Sequence, residues 1–150
     1  MISVSRFASR ITVACAIVCL TGCSTVTRLE GAAPGATLAI RGIARTELPR
    51  TEDLSSKATG QYEFMATNAD GKKIYGLLPL SVNGGTMAMS ILFFAPALFI
   101  GGFRDVFPFY QVDPEKNVVR FRKTESDAWR EYQPISVESA RAKQYFDTLK

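Results

Sequence analysis

Hydrophobic and polar positions recur along this chain with several different periods, and each period predicts a different element. From Gly35 the stretch ATLAIRGIAR sets Leu38 and Ile40 against Ala39 and Arg41, the two-residue period of a half-buried strand. Thr46 to Gly60, TELPRTEDLSSKATG, has the charge, proline and Ser/Thr content of a loop. QYEFMAT and KKIYGLLPLSV flank Asn68 to Gly71, NADG, and Asp-Gly supplies the left-handed backbone of a hairpin turn. FYQVD and VVRFRK flank Pro114 to Asn117, PEKN, and predict a second hairpin, with proline presetting the turn and asparagine tolerating positive φ. From Ser136 a capping serine, Glu138 in the first turn, and Val137, Ala142, Tyr145, Phe146 and Leu149 near helical spacing predict an amphipathic C-terminal helix. The fold class is therefore mainly β, or α+β: a small antiparallel β domain with two hairpins and a C-terminal helix.

One segment has no polar period at all. Thr86 to Phe103, TMAMSILFFAPALFIGGF, is uncharged, bounded by Gly84-Gly85 before it and holding Gly101-Gly102 near its end. Its length borders on the roughly 17 to 25 residues of a spanning helix. Three readings follow: a span that sets residues 24–85 and 104–150 on opposite sides of a bilayer, a buried core helix, or a membrane-contacting hairpin bent at Pro96, where the missing N–H breaks a helix. Charge does not orient a span, since the flanks hold 7 basic and 6 acidic residues against 9 and 8. On the hairpin reading the membrane contacts are Phe93, Phe94, Pro96, Phe99 and Phe103. Phe103, Phe107, Phe109 and Tyr110 beside Arg104 suit either a headgroup zone or a β core. Arg120 and Arg122 opposite Val119 and Phe121 read as a solvated strand face.

The N-terminus follows another logic. Arg6 and Arg10 are the only charges before an apolar run from Ile11 to Leu20, the n-region and h-region of a secretory signal too short to span. It ends in Leu20-Thr21-Gly22-Cys23, which resembles the lipobox of bacterial lipoproteins at all four positions. The resemblance implies that residues 1–22 are removed and that Cys23 carries a diacylglycerol and an acylated amino terminus. It also implies an address in the cell envelope. Ser24 in place of an aspartate implies the outer membrane, facing the periplasm, and the anchor favours membrane contact by 86–103. Residues 23–34 are then expected to form a lipidated tether, and residues 35–150 a single small domain that includes the apolar segment.

Composition narrows the chemistry. Cys15 and Cys19 fall inside the removed segment and Cys23 becomes a thioether, so the mature chain has neither free thiol nor disulfide. Loss of Arg6 and Arg10 leaves 16 basic against 14 acidic residues in a 128-residue chain, no footprint for nucleic acid. There is no histidine, which excludes Ser/His and Cys/His nucleophile systems and histidine metal sites. The carboxylate pairs Glu52/Asp53 and Glu125/Asp127 lie in charge-rich stretches that suit solvation better than acid–base work. No cofactor or metal is expected.

PGATLAIRG followed by GQYEF and a glycine turn is similar to the PEGA-type surface modules of envelope proteins over residues 34–80, which implies a binding or scaffold module there. The expected function is a non-catalytic, lipid-anchored envelope protein acting as a structural or interaction module, with membrane lipid as partner and a further envelope protein still to be named. The alternative is a membrane-embedded accessory subunit that uses 86–103 against a partner's helices. An enzyme is the weaker alternative.

Overall fold

The computed structural model describes residues 24–57, 60–82 and 104–149. Among these residues it is a small, mostly β domain with three sheets and a C-terminal helix. Strands β1 (Ser24–Gly31), β4 (Arg50–Ser55), β9 (Phe109–Asp113), β10 (Val118–Arg122) and β11 (Arg130–Tyr132) form a five-stranded sheet in the order β11-β10-β9-β1-β4. Its β1–β9 pair is parallel and its other pairs are antiparallel. Strands β2 (Thr37–Ile40), β3 (Ile43–Glu47), β5 (Glu63–Thr67) and β6 (Lys73–Leu77) form an antiparallel sheet in the order β3-β2-β5-β6. A short antiparallel pair, β7 (Leu80–Val82) with β8 (Arg104–Val106), completes the strands among the described residues. One hydrophobic cluster draws on both large sheets, with Leu29, Leu54, Tyr110, Val112 and Val119 from one side meeting Leu38, Ile40, Phe64 and Ile74 from the other.

Both expected hairpins are present. β5 and β6 turn through Gly71 at φ 84°, a conformation that glycine adopts without a Cβ clash. β9 and β10 turn through Asn117 at φ 56°. The run ATLAIRGIAR is two strands, because the chain reverses at Arg41-Gly42, with Gly42 at φ 81°. The C-terminal helix is also present, as α1 (Ser136–Asp147). Its N-cap position is Ile135, which makes no side-chain cap bond, so Ser136 does not cap it as expected. Ala142 and Phe146, one turn apart, are its buried residues, while Val137 and Leu149 are exposed. Phe146 faces Tyr75 of β6 at 6.5 Å between ring centroids, and Ser139 Oγ donates to the Tyr75 carbonyl at 2.8 Å.

Two expectations are corrected. Ser24–Gly31 is not a tether: it is β1, an interior strand between β4 and β9, so the folded part already includes Ser24, ahead of the expected start near Gly35. Its inward period runs through Thr27 and Leu29, 0% and 2% exposed, with Val26 and Arg28 outward. Thr27 qualifies for the inside because its hydroxyl donates to the Phe107 carbonyl at 3.2 Å. The expected loop 46–60 contains β4, an edge strand that buries Leu54 and carries Arg50, Glu52 and Asp53, the charge typical of an edge.

Candidate functional site

The strand directions gather several chain segments at one end of the five-stranded sheet. β1 opens at Ser24, opposite Ser55 at the close of β4. Arg28 is level with Phe109 of the parallel β9, and Phe109 with Arg122 of the antiparallel β10. Residues before Arg28, before Phe109 and after Arg122 therefore extend toward the same end. A cavity of about 250 Å³ lined by Thr25, Ser81, Asp105, Phe107 and Lys123 records the meeting of these segments. Beside it lies a cavity of about 270 Å³ lined by Phe107, Arg122, Lys123, Trp129 and Arg130. β7 and β8 belong to this end too, since Val82 pairs with Arg104 and Arg104 bridges to Lys57, just past β4.

This end gathers basic side chains against aromatic rings. The Arg122 guanidinium lies 4.3 Å from the Trp129 ring centroid and 5.2 Å from that of Phe109, and donates to the Glu125 carbonyl at 2.6 Å. The Lys57 ammonium lies 4.2 Å over Tyr62, and Arg104 donates to the Gly60 carbonyl at 2.7 Å. Lys123 and Arg130 are exposed. Two of the acidic groups here hold local structure: Asp105 accepts from Ser56 Oγ at 2.7 Å and Asp127 accepts from the Thr124 N–H at 3.0 Å. Val26 and Val82, at 67% and 58% exposure, add apolar surface.

Of the expected site residues, Cys23, Phe93, Phe94, Pro96, Phe99 and Phe103 lie outside the described residues. Phe107 and Tyr110, read as either headgroup-zone or core aromatics, are core. The Tyr110 hydroxyl accepts from the Phe107 N–H at 3.0 Å and donates to the Pro79 carbonyl at 2.5 Å, and burial pushes its ionisation well above the usual tyrosine range. The segment 86–103 lies outside the described residues; of the residues on either side of it, Val82 pairs with Arg104, and β1 pairs with β9. Among the described residues no helix is long and apolar enough to cross a membrane.

A second charged cluster, which no sequence period marked, joins the four-stranded sheet to α1. The Glu63 side chain is only 2% exposed; Arg41 Nη1 donates to its two oxygens at 3.2 and 3.4 Å, and Arg141 Nη2 lies 3.1 Å from Oε1. Arg41 also lies 4.8 Å over the Tyr145 ring. With two guanidiniums on one carboxylate, Glu63 fastens the β2–β3 turn and α1 to β5. Of the carboxylate pairs weighed from sequence, Glu52 is ion-paired with Arg50, and Asp127 holds its own turn. Among the described residues no group of three His, Cys, Asp or Glu is placed to hold a metal.

Compared with known proteins, the chain matches no family model, no curated protein and no solved structure. What the fold defines is a class, a small β-rich domain with, among the described residues, one helix.

Proposed function

We propose that this chain is a lipid-anchored cell-envelope protein, joined to membrane lipid through acylated Cys23, that acts as a non-catalytic structural or interaction module at the outer membrane, facing the periplasm. The observation that carries the reading is the lipobox Leu20-Thr21-Gly22-Cys23, set directly before a strand that opens at Ser24. On this reading the cut falls directly before the described strand β1. A β domain whose buried Glu63 is held by two arginines from neighbouring elements suits a rigid module that presents surfaces to others. The test is Cys23→Ala: the variant is expected to lose metabolic lipid labelling and to leave the membrane fraction, whereas unchanged labelling would refute the anchor.

The accessory-subunit reading is supported by the pairing of Val82 with Arg104, which roots both ends of the apolar segment on the anchored end of the domain. On that reading a crosslinked envelope partner co-purifies with the native chain and is lost when Met87 to Phe103 is altered.

A further inference from the structure

We propose that the sheet end carrying Ser24 docks directly on the phospholipid headgroups, with Trp129 and Lys123 in the headgroup zone; this rests on the lipid anchor at Cys23. Three observations point to it. First, the anchor leaves no slack. Successive Cα atoms are about 3.8 Å apart, and β1 is hydrogen-bonded into its sheet from Ser24 onward, so the acylated residue and the sheet end are neighbours. A lipoprotein whose domain stands away from the bilayer needs a flexible tether, and here those residues are an interior strand.

Second, the surface at this end has the chemistry of a bilayer interface. Lys57, Arg104, Arg122, Lys123 and Arg130 stand at this end with Glu52, Asp53, Asp105, Glu125 and Asp127; Glu52 is ion-paired with Arg50, and Glu125 and Asp127 lie on the β10–β11 loop among the cations. Trp129 is the only tryptophan in the chain, and it sits beside Lys123 and under Arg122, an apolar ring with a cation over it. Tryptophan is enriched at the membrane–water interface, and lysine and arginine are drawn to anionic headgroups within a Debye length. Exposed Val26 and Val82 lie on the strands that reach this end.

Third, the opposite end is built differently. There the turns of the two hairpins are tied together by Asn68 and Lys72 on Glu115, Lys72 Nζ donating to the Glu115 carbonyl at 2.8 Å, and by Asn68 Nδ2 on the Glu115 carboxylate. β1 has 8 residues, so roughly 25 Å of strand separates the two ends at about 3.3 Å per residue. That end faces away from the lipid and is the one free to meet a partner.

Because Trp129 is unique, its fluorescence reports the docking. The full-length lipidated protein, its acylation checked by mass, is reconstituted into phosphatidylethanolamine/phosphatidylglycerol vesicles with and without a headgroup nitroxide on the lipid. Trp129 emission is expected to fall by more than half with the nitroxide. A Lys116→Trp/Trp129→Phe chain, which moves the probe to the exposed β9–β10 turn at the far end, is expected to lose little. Lys57→Glu/Lys123→Glu is expected to stay vesicle-bound through its lipid while Trp129 quenching weakens. Equal quenching at the two probe positions, or greater quenching at position 116, in an acylated and vesicle-bound protein would overturn the docking and leave the anchor standing. An unmodified Cys23 in the mature chain would overturn both.

Discussion

Replacing Glu63 by glutamine keeps the side-chain volume and removes only the charge that two arginines share. Hydrogen bonds to charged groups contribute about 1.5 to 3 kcal/mol each, and neutral ones about 0.5 to 1.5. Two arginine partners at 3.1 and 3.2 Å therefore put the loss near 2 to 3 kcal/mol before solvent is considered. The Arg41 and Arg141 side chains are 53% and 55% exposed, so water takes over part of their hydration when Glu63 is neutral. The expected cost is then about 1 to 2 kcal/mol, or a fall in Tm of roughly 4 to 8 °C for a domain of this size. Urea and thermal unfolding of a Cys23→Ala background supply the numbers, and a cycle with Arg141→Gln isolates the coupling between the helix and the sheet. Because Arg141 is on α1, helix amides are expected to exchange faster in Glu63→Gln than those of β9 and β10. If Glu63→Gln unfolds within about 0.5 kcal/mol of its parent, the pairing is an ordinary surface contact and its fastening role is wrong.

Further expectations follow from individual contacts. Gly76→Ala places a Cβ 2.8 Å from Pro134 Cβ and Cγ and 2.9 Å from Phe64 Cε1, so it should cost about 1 to 3 kcal/mol by a lowered urea midpoint; unchanged stability would show that Pro134 yields freely. Tyr110→Phe leaves the Phe107 N–H and Pro79 carbonyl without their shared hydroxyl and should cost about 1 to 3 kcal/mol, with no loss contradicting the assigned bonds. Burial raises the ionisation of Tyr110 and Tyr62 in the folded protein, so both states stay protonated below about pH 10, and above it the unfolded chain sheds protons first. Stability is therefore expected to fall as pH rises past about 10, and to fall less steeply in Tyr110→Phe; identical slopes in urea titrations at about pH 9 and 11 would refute the assignment.

The two hairpins were legible because their turns are spelled in residues with a backbone preference, Asp70-Gly71 and Asn117, between runs of β-prone side chains. The helix was legible as a period but not as a cap, since nothing in the sequence distinguishes Ser136 at the cap from Ser136 one step inside it. β1 was hidden because Thr27 counts as polar in any pattern, and only the distant Phe107 carbonyl makes it an inside residue. β4 was hidden by the charges of an edge strand, which read as loop until Leu54 is seen facing the core. The aromatic run Phe107 to Tyr110 had two readings of equal local quality, and the choice rested on the Tyr110 hydroxyl finding Pro79, 31 residues earlier. The charged cluster on Glu63 joins three elements far apart in sequence, so no spacing announces it. The cation and aromatic grouping at the Ser24 end is likewise a product of strand direction, legible only once β9 runs parallel to β1.

The central claim is the anchor at Cys23, and the most direct measurement is the intact mass of the mature protein purified from membranes, with fragmentation of its N-terminal peptide. The account predicts a chain that begins at Cys23 and carries a diacylglycerol thioether together with an N-acyl group. A chain that begins elsewhere, or one that begins at Cys23 with an unmodified thiol, would contradict it.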